Sequence, residues 1–191
     1  LKDENKSLNN EILDLNNEVN MLKKMCTYNY EFDRAIENLH GGKSDNNYKR
    51  AIIRFNKESD QGNCHASFIL GLLYENGEGV EKDFNKAMQY YQKSFDQGNS
   101  YGLHRLGICY LTGNGVKFDY DKAAEFLQTA ADKGCPDSFN SLGDMYYSGK
   151  HFKSDEYKAL ELYQKSSDLG YSIAYTNIGS LYVIGKALPQ D

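Results

Sequence analysis

Residues 71–98 read GLLYENGEGVEKDFNKAMQYYQKSFDQG, and residues 107–134 read GICYLTGNGVKFDYDKAAEFLQTAADKG. The two stretches share Gly, Tyr, Gly-x-Gly-Val, Asp, Lys-Ala and a closing Gly at the same offsets, one period of 36 residues apart. The register continues outward. Gly71, Gly107, Gly143 and Gly179 form one column, as do Tyr74, Tyr110, Tyr146 and Tyr182. Ala51, Ala87, Ala123 and Ala159 form another, followed by Gly62, Gly98, Gly134 and Gly170, and by Asp83, Asp119, Asp155 and Asp191. A fixed period of this size is the signature of a stacked array, in which each unit buries its apolar face against the next. The fold class expected is all-α, an α-solenoid of stacked antiparallel helix pairs preceded by a coiled-coil helix.

Each full unit reads as two helices. The first, such as Ala66 to Glu75, sets the small Ala66 and Gly71 against the large Leu70, Leu73 and Tyr74. A glycine inside a helix costs about 1 kcal/mol relative to alanine, so its return at 71, 107, 143 and 179 calls for a close helix contact. The turn Gly77-Glu78-Gly79-Val80, repeated as Gly113-Asn114-Gly115-Val116, offers glycines for the left-handed backbone that ends a helix. Asp83, Asp119 and Asp155, with Asn47 upstream, stand where the second helix needs an N-cap. That second helix buries Ala87, Tyr90 and Tyr91 and closes at Gly98.

Three segments follow. Residues 1–26 carry a heptad with Leu1, Leu8, Leu15 and Leu22 at d and Asn5, Ile12, Val19 and Cys26 at a. Leucine at d with Ile or Val at a favours a parallel two-stranded coil, and the single polar Asn5 fixes register, so a homodimer through this segment is expected. Residues 27–62 read as a degenerate capping repeat, with Gly41 to Asn47 its loosest stretch, and residues 63–191 as the solenoid proper. The sequence starts inside a heptad and stops at the cap position of another second helix, so it reads as a piece of a longer chain.

The motif G-x-x-Y-x-x-G-x-G-V-x-x-D-x-x-K-A-x-x-x-x-x-K-S-x-x-x-G over residues 71–98 resembles the Sel1-like repeat. Tetratricopeptide repeats share the helix-turn-helix plan at about 34 residues, but the longer period and the Gly-x-Gly turn favour the Sel1-like form. The pattern departs at Lys150-His151-Phe152, where the second glycine and the valine should stand, and at Ala187, which replaces a turn glycine. Both are expected to loosen a turn. The resemblance implies a scaffold for protein complexes. In many lineages such arrays flank protein kinase or other signalling domains, so a regulatory or substrate-docking arm of a larger signalling protein is the alternative.

Composition and motifs exclude more than they assign. With 22 basic against 27 acidic residues the net charge is −5, and no basic cluster exceeds a pair, which argues against nucleic acid and anionic membrane as partners. No apolar run is long enough to span a bilayer. Cys26, Cys64, Cys109 and Cys135 form no C-x-x-C pair and do not recur with the repeat, as in a reducing, cytoplasmic setting. A cysteine-rich secreted array with hydrolase-like activity would need two cysteines per repeat, and that reading ranks last. His40, His65, His104 and His151 show no metal-ligand spacing, Gly42-Lys43-Ser44 lacks the first glycine of a phosphate loop, and Gly113-Asn114-Gly115 follows a helix rather than a strand. No catalytic residue, metal site or cofactor is expected.

The functional signal is a surface. On the first helix, His65, Phe68, Ile69, Leu72, Glu75 and Asn76 occupy the face opposite the recurring residues, and their columns change identity in each repeat. The expected partner-binding groove comprises Phe68, Ile69, Leu72, Tyr101, His104, Arg105, Ile108, Asn140, Ser141, Asp144 and Asn177, on the side that the resemblance makes concave. It runs from an apolar end at Phe68, Ile69, Leu72 and Ile108 to a polar end at Asn140, Ser141, Asp144 and Asn177, which suits an amphipathic segment.

Overall fold

A computed structural model describes residues 45–183, and the coiled-coil seam at Asn5, Leu8, Ile12, Leu15, Val19 and Leu22 lies outside them. The chain divides after Gln61 into two units. From the first unit one helix is described, α1 (Asp45–Asp60), in which Ala51 and Phe55 are fully buried. Because α1 already includes Asp45, Asn47 sits within the helix rather than at its N-cap position, and 45–47 is helical rather than loose. The cap reading failed there because sequence periodicity locates a helix end only to within a few residues.

The second unit stacks seven described helices: α2 (Cys64–Asn76), α3 (Phe84–Asp96), α4 (Ser100–Thr112), α5 (Tyr120–Asp132), α6 (Pro136–Ser148), α7 (Glu156–Asp168) and α8 (Ser172–Val183). Each helix packs on the next in sequence, so the core is a series of linked clusters along the stack rather than one centre. One cluster already spans two repeats, joining Ala87 and Tyr91 of α3 to Leu103, Leu106 and Cys109 of α4 and Ala130 of α5. This is the quasi-linear packing a repeat array requires.

The recurring columns have distinct physical tasks. Asp83, Asp119 and Asp155 accept from the amides of Lys86, Lys122 and Lys158, capping α3, α5 and α7. Their own amides return to the carbonyls of Tyr74, Tyr110 and Tyr146, which closes each turn within a repeat. Gly77, Gly113 and Gly149 end the first helices at φ of 75°, 75° and 65°, where a side chain would be strained. The turn at Lys150-His151-Phe152 is not loosened: it keeps the Gly149 cap and the Asp155–Tyr146 bond. Phe152 there stacks on Tyr146 at 4.2 Å, and His151 lies 3.2 Å from the Asp121 carboxylate.

The glycines at 71, 107 and 143 face the second helix of their own repeat. A Cβ on Gly71 would enter the Tyr91 ring, one on Gly143 would come within 2.5 Å of Tyr163 Cε1, and one on Gly107 within 2.8 Å of Leu127 Cγ. Gly179 on α8 has no described atom within 4 Å of that position. Gly71→Ala trades about 1 kcal/mol of helix propensity for an overlap that typically costs about 1–3 kcal/mol. It is expected to lower the melting temperature. Thermal denaturation of the variant beside the unmodified chain checks this.

Candidate interaction surface

The residues expected to form the groove lie on α2, α4, α6 and α8, and most of them bridge one first helix to the next. At the apolar end Phe68 is half-buried, with its ring 5.8 Å from that of Tyr91 and edge-on at 6.3 Å to Tyr101. Tyr101 is 39% exposed. Leu72 is half-buried against the cluster that contains Tyr91, and Ile108 against the next cluster along. Ile69 and Ser141 are also half-buried.

Arg105 reaches back from α4 and donates to one oxygen of Glu75 on α2, while the Tyr91 hydroxyl donates to the other. Its guanidinium also stands 5.8 Å from the Tyr91 ring centroid. Burial, then the hydrogen bond and charge of Glu75, push the Tyr91 phenol well above its ordinary range. His104 is only 8% exposed, and its Nδ1 is 3.1 Å from Ser138 Oγ on α6. Burial, with the Arg105 charge beside it, lowers its pKa to about 4, so the ring is neutral at pH 7. Asn140 is 6% exposed, and its amide donates to Asp144 at 3.3 Å. Asn177 on α8 donates to Asn140 Oδ1 at 2.8 Å, and the Tyr163 hydroxyl donates to Asp144 at 2.7 Å. His104 and Asn140 are thus spent on neighbours, and Tyr101, Asp144 and the edges of the half-buried side chains form the accessible part.

The Sel1 repeat model matches residues 64–99, 100–135 and 140–171, together more than half of the chain. The chain belongs to the Sel1 repeat family. Among solved structures, this Sel1 array is similar to a Sel1 repeat protein from Oxalobacter formigenes, at 27% identity and a TM-score of 0.75, over 86% of this chain and 67% of that one. It is also similar to a protective antigen of uropathogenic Escherichia coli displaying an SLR fold, at 28% identity and a TM-score of 0.71, over 88% of this chain and 37% of that one. An immunity protein from Pseudomonas aeruginosa aligns at 30% identity and a TM-score of 0.56, over 71% of this chain and 51% of that one. No curated protein sequence matches significantly. Among the described residues no group of three metal-ligating side chains forms, and no helix is long and apolar enough to cross a membrane.

Within the Sel1 frame, reading by column missed how the face is built. Tyr91, Leu127 and Tyr163 share a column, and so do Arg105, Ser141 and Asn177. Where the second helix carries a tyrosine, a carboxylate on the first helix receives its hydroxyl, Glu75 in one repeat and Asp144, one helical turn away, in the other. Where it carries Leu127, Ile108 and Leu111 stand in the two acid positions. The signal in the sequence is this joint change of tyrosine and acid, which no single column contains. Removing one partner of such a partly buried set leaves the others uncompensated, whereas replacing the whole set with apolar residues is often neutral. Glu75→Leu alone is therefore expected to destabilise by about 3 kcal/mol. The triple variant Glu75→Leu, Tyr91→Leu, Arg105→Ser, which imports the middle repeat's residues, is expected to recover most of that loss in chemical denaturation.

Proposed function

We propose that this Sel1 array is an adaptor that holds a segment of a partner protein across α2, α4 and α6, with two arrays paired through residues 1–26. Repeats of this family serve in general as protein-interaction scaffolds. What carries the reading for this chain is that hydrogen bonds and ring contacts run from each first helix to the next: Tyr101 to Phe68, Arg105 to Glu75, His104 to Ser138 and Asn177 to Asn140. A face cross-linked in this way is rigid before binding, and a preorganised surface spends less of its contact energy on ordering. Its outer side chains vary while the framework beneath them repeats, so recognition can differ from one array to another without a change of fold. Cys109 and Cys135 are used as buried core residues, in keeping with a cytoplasmic setting.

Pairing two arrays raises avidity with no new contact at either surface. Light scattering is expected to give a dimer for residues 1–191 and a folded monomer for a chain starting at Thr27; two monomers would remove the coil as a homotypic device. The face itself is tested by panning a phage library of random 20-residue peptides on the full chain. Peptides retained are expected to lose binding to Leu72→Glu and Tyr101→Asp, variants on the first helices, and to keep it for Glu125→Lys on the exposed side of α5. Retention that ignores the first two variants and fails with the third would move the docking surface to the second helices.

A further inference from the structure

The two tyrosine-bearing repeats treat their carboxylates differently. Glu75 has its charge met inside the chain, because the next first helix supplies Arg105. The residue two repeats on in the Arg105 column is Asn177, a neutral amide that donates to Asn140 at 2.8 Å and reaches Asp144 only at 3.5 Å. Asp144 collects three donors, from Tyr163, Asn140 and Asn177, and among the described residues no Lys or Arg pairs with it. It is also exposed. Desolvation on its inner side raises its pKa, and the Tyr163 hydrogen bond opposes that. Asp137, about 10 Å earlier on the same helix, is a second carboxylate with no ion pair among the described residues, and burial raises its pKa.

Leu72, Ile108 and Asp144 hold the same position on α2, α4 and α6. Successive helices in such stacks lie about 10 Å apart, which is close to seven residues of a helix lying across them. Two half-buried apolar side chains and one exposed carboxylate thus recur at the same helix position, one per repeat, along the first helices. We propose that the partner segment is an amphipathic helix whose apolar residues, one heptad apart, rest on Leu72 and Ile108, and whose next heptad places a Lys or Arg on Asp144. The basic side chain supplies from outside what Arg105 supplies to Glu75 from within. This rests on the reading of the first-helix face as the docking surface.

The test uses the full chain and peptides enriched from the same random 20-residue library, measured by fluorescence anisotropy. Enriched peptides are expected to carry a Lys or Arg one heptad beyond their second apolar anchor. Their binding is expected to fall about tenfold with Asp144→Asn, to survive Asp144→Glu, and to fall similarly with Asn177→Arg, which rebuilds the internal pair. Melting temperatures of the variants are measured alongside, and Asn177→Arg is expected to melt no lower than the unmodified chain. Peptides that need Leu72 but bind Asp144→Asn and Asn177→Arg as well as the unmodified chain would overturn the basic partner and leave the docking face standing. Peptides indifferent to Leu72→Glu would overturn the docking face and this inference with it.

Discussion

The contact on which the rest depends is the seat of a second-helix side chain on a first-helix glycine: Tyr91 on Gly71, Leu127 on Gly107 and Tyr163 on Gly143. With no Cβ on the glycine, the two helices of a repeat approach closely enough for a large side chain to seat between them, and both tyrosines and the leucine are buried as a result. Everything else in the repeat is arranged to reach that contact. The left-handed glycine ends the first helix, the aspartate amide folds the turn back onto the tyrosine carbonyl, and the same aspartate starts the second helix. The register between helices is set by these local bonds, and the burial then follows.

Because the seat fixes the helices from the inside, the outer face of the first helices is released from holding the repeat together. It takes up a second task, linking one repeat to its neighbour. The chemistry alternates along the stack. Tyrosine, carboxylate and a donor from the next helix occur in the outer repeats, and leucine with its apolar neighbours occurs in the middle one. Ser94 and Ser166 donate within their own repeats, from the second helix to the carbonyls of Cys64 and Pro136 on the first, both at 2.7 Å, while Ala130 holds the same column in between. Alternation of this kind gives the tyrosine hydroxyls and the serines their acceptors while the period stays intact. Among the described residues Asp144 is left without a Lys or Arg counterion, and it is exposed.

The architecture was legible because a repeat writes each physical requirement several times. The glycine seat, the glycine caps at Gly77 and Gly113 and the aspartate caps each stand in their own column, and the structure gives each the role its chemistry implies. What was not legible is what repetition does not mark. A changing column can be free surface or a pairwise contact whose partner changes with it. His104 and Asn140 belong to the second kind, buried against Ser138, Asp144 and Asn177 from other turns or other helices. Gly102 was missed for a related reason. Ala66, Ser138 and Ala174 share its column, so nothing in the pattern says that a Cβ at this one place would strike the Tyr91 carbonyl of the previous helix. The break at His151 looked like a weak turn because the stacking of Phe152 on Tyr146 is a compensation made in space.

The central claim is that a uniform glycine-seated frame presents a rigid, repeat-specific recognition face on the first helices. Amide hydrogen exchange of the full chain, with and without a bound library-selected peptide, tests it most directly. The account predicts slow exchange across α2, α4 and α6 before binding, and added protection on those helices and not on α3, α5 and α7 after it. Added protection confined to the second helices, or first helices that become protected only once the peptide is bound, would contradict it.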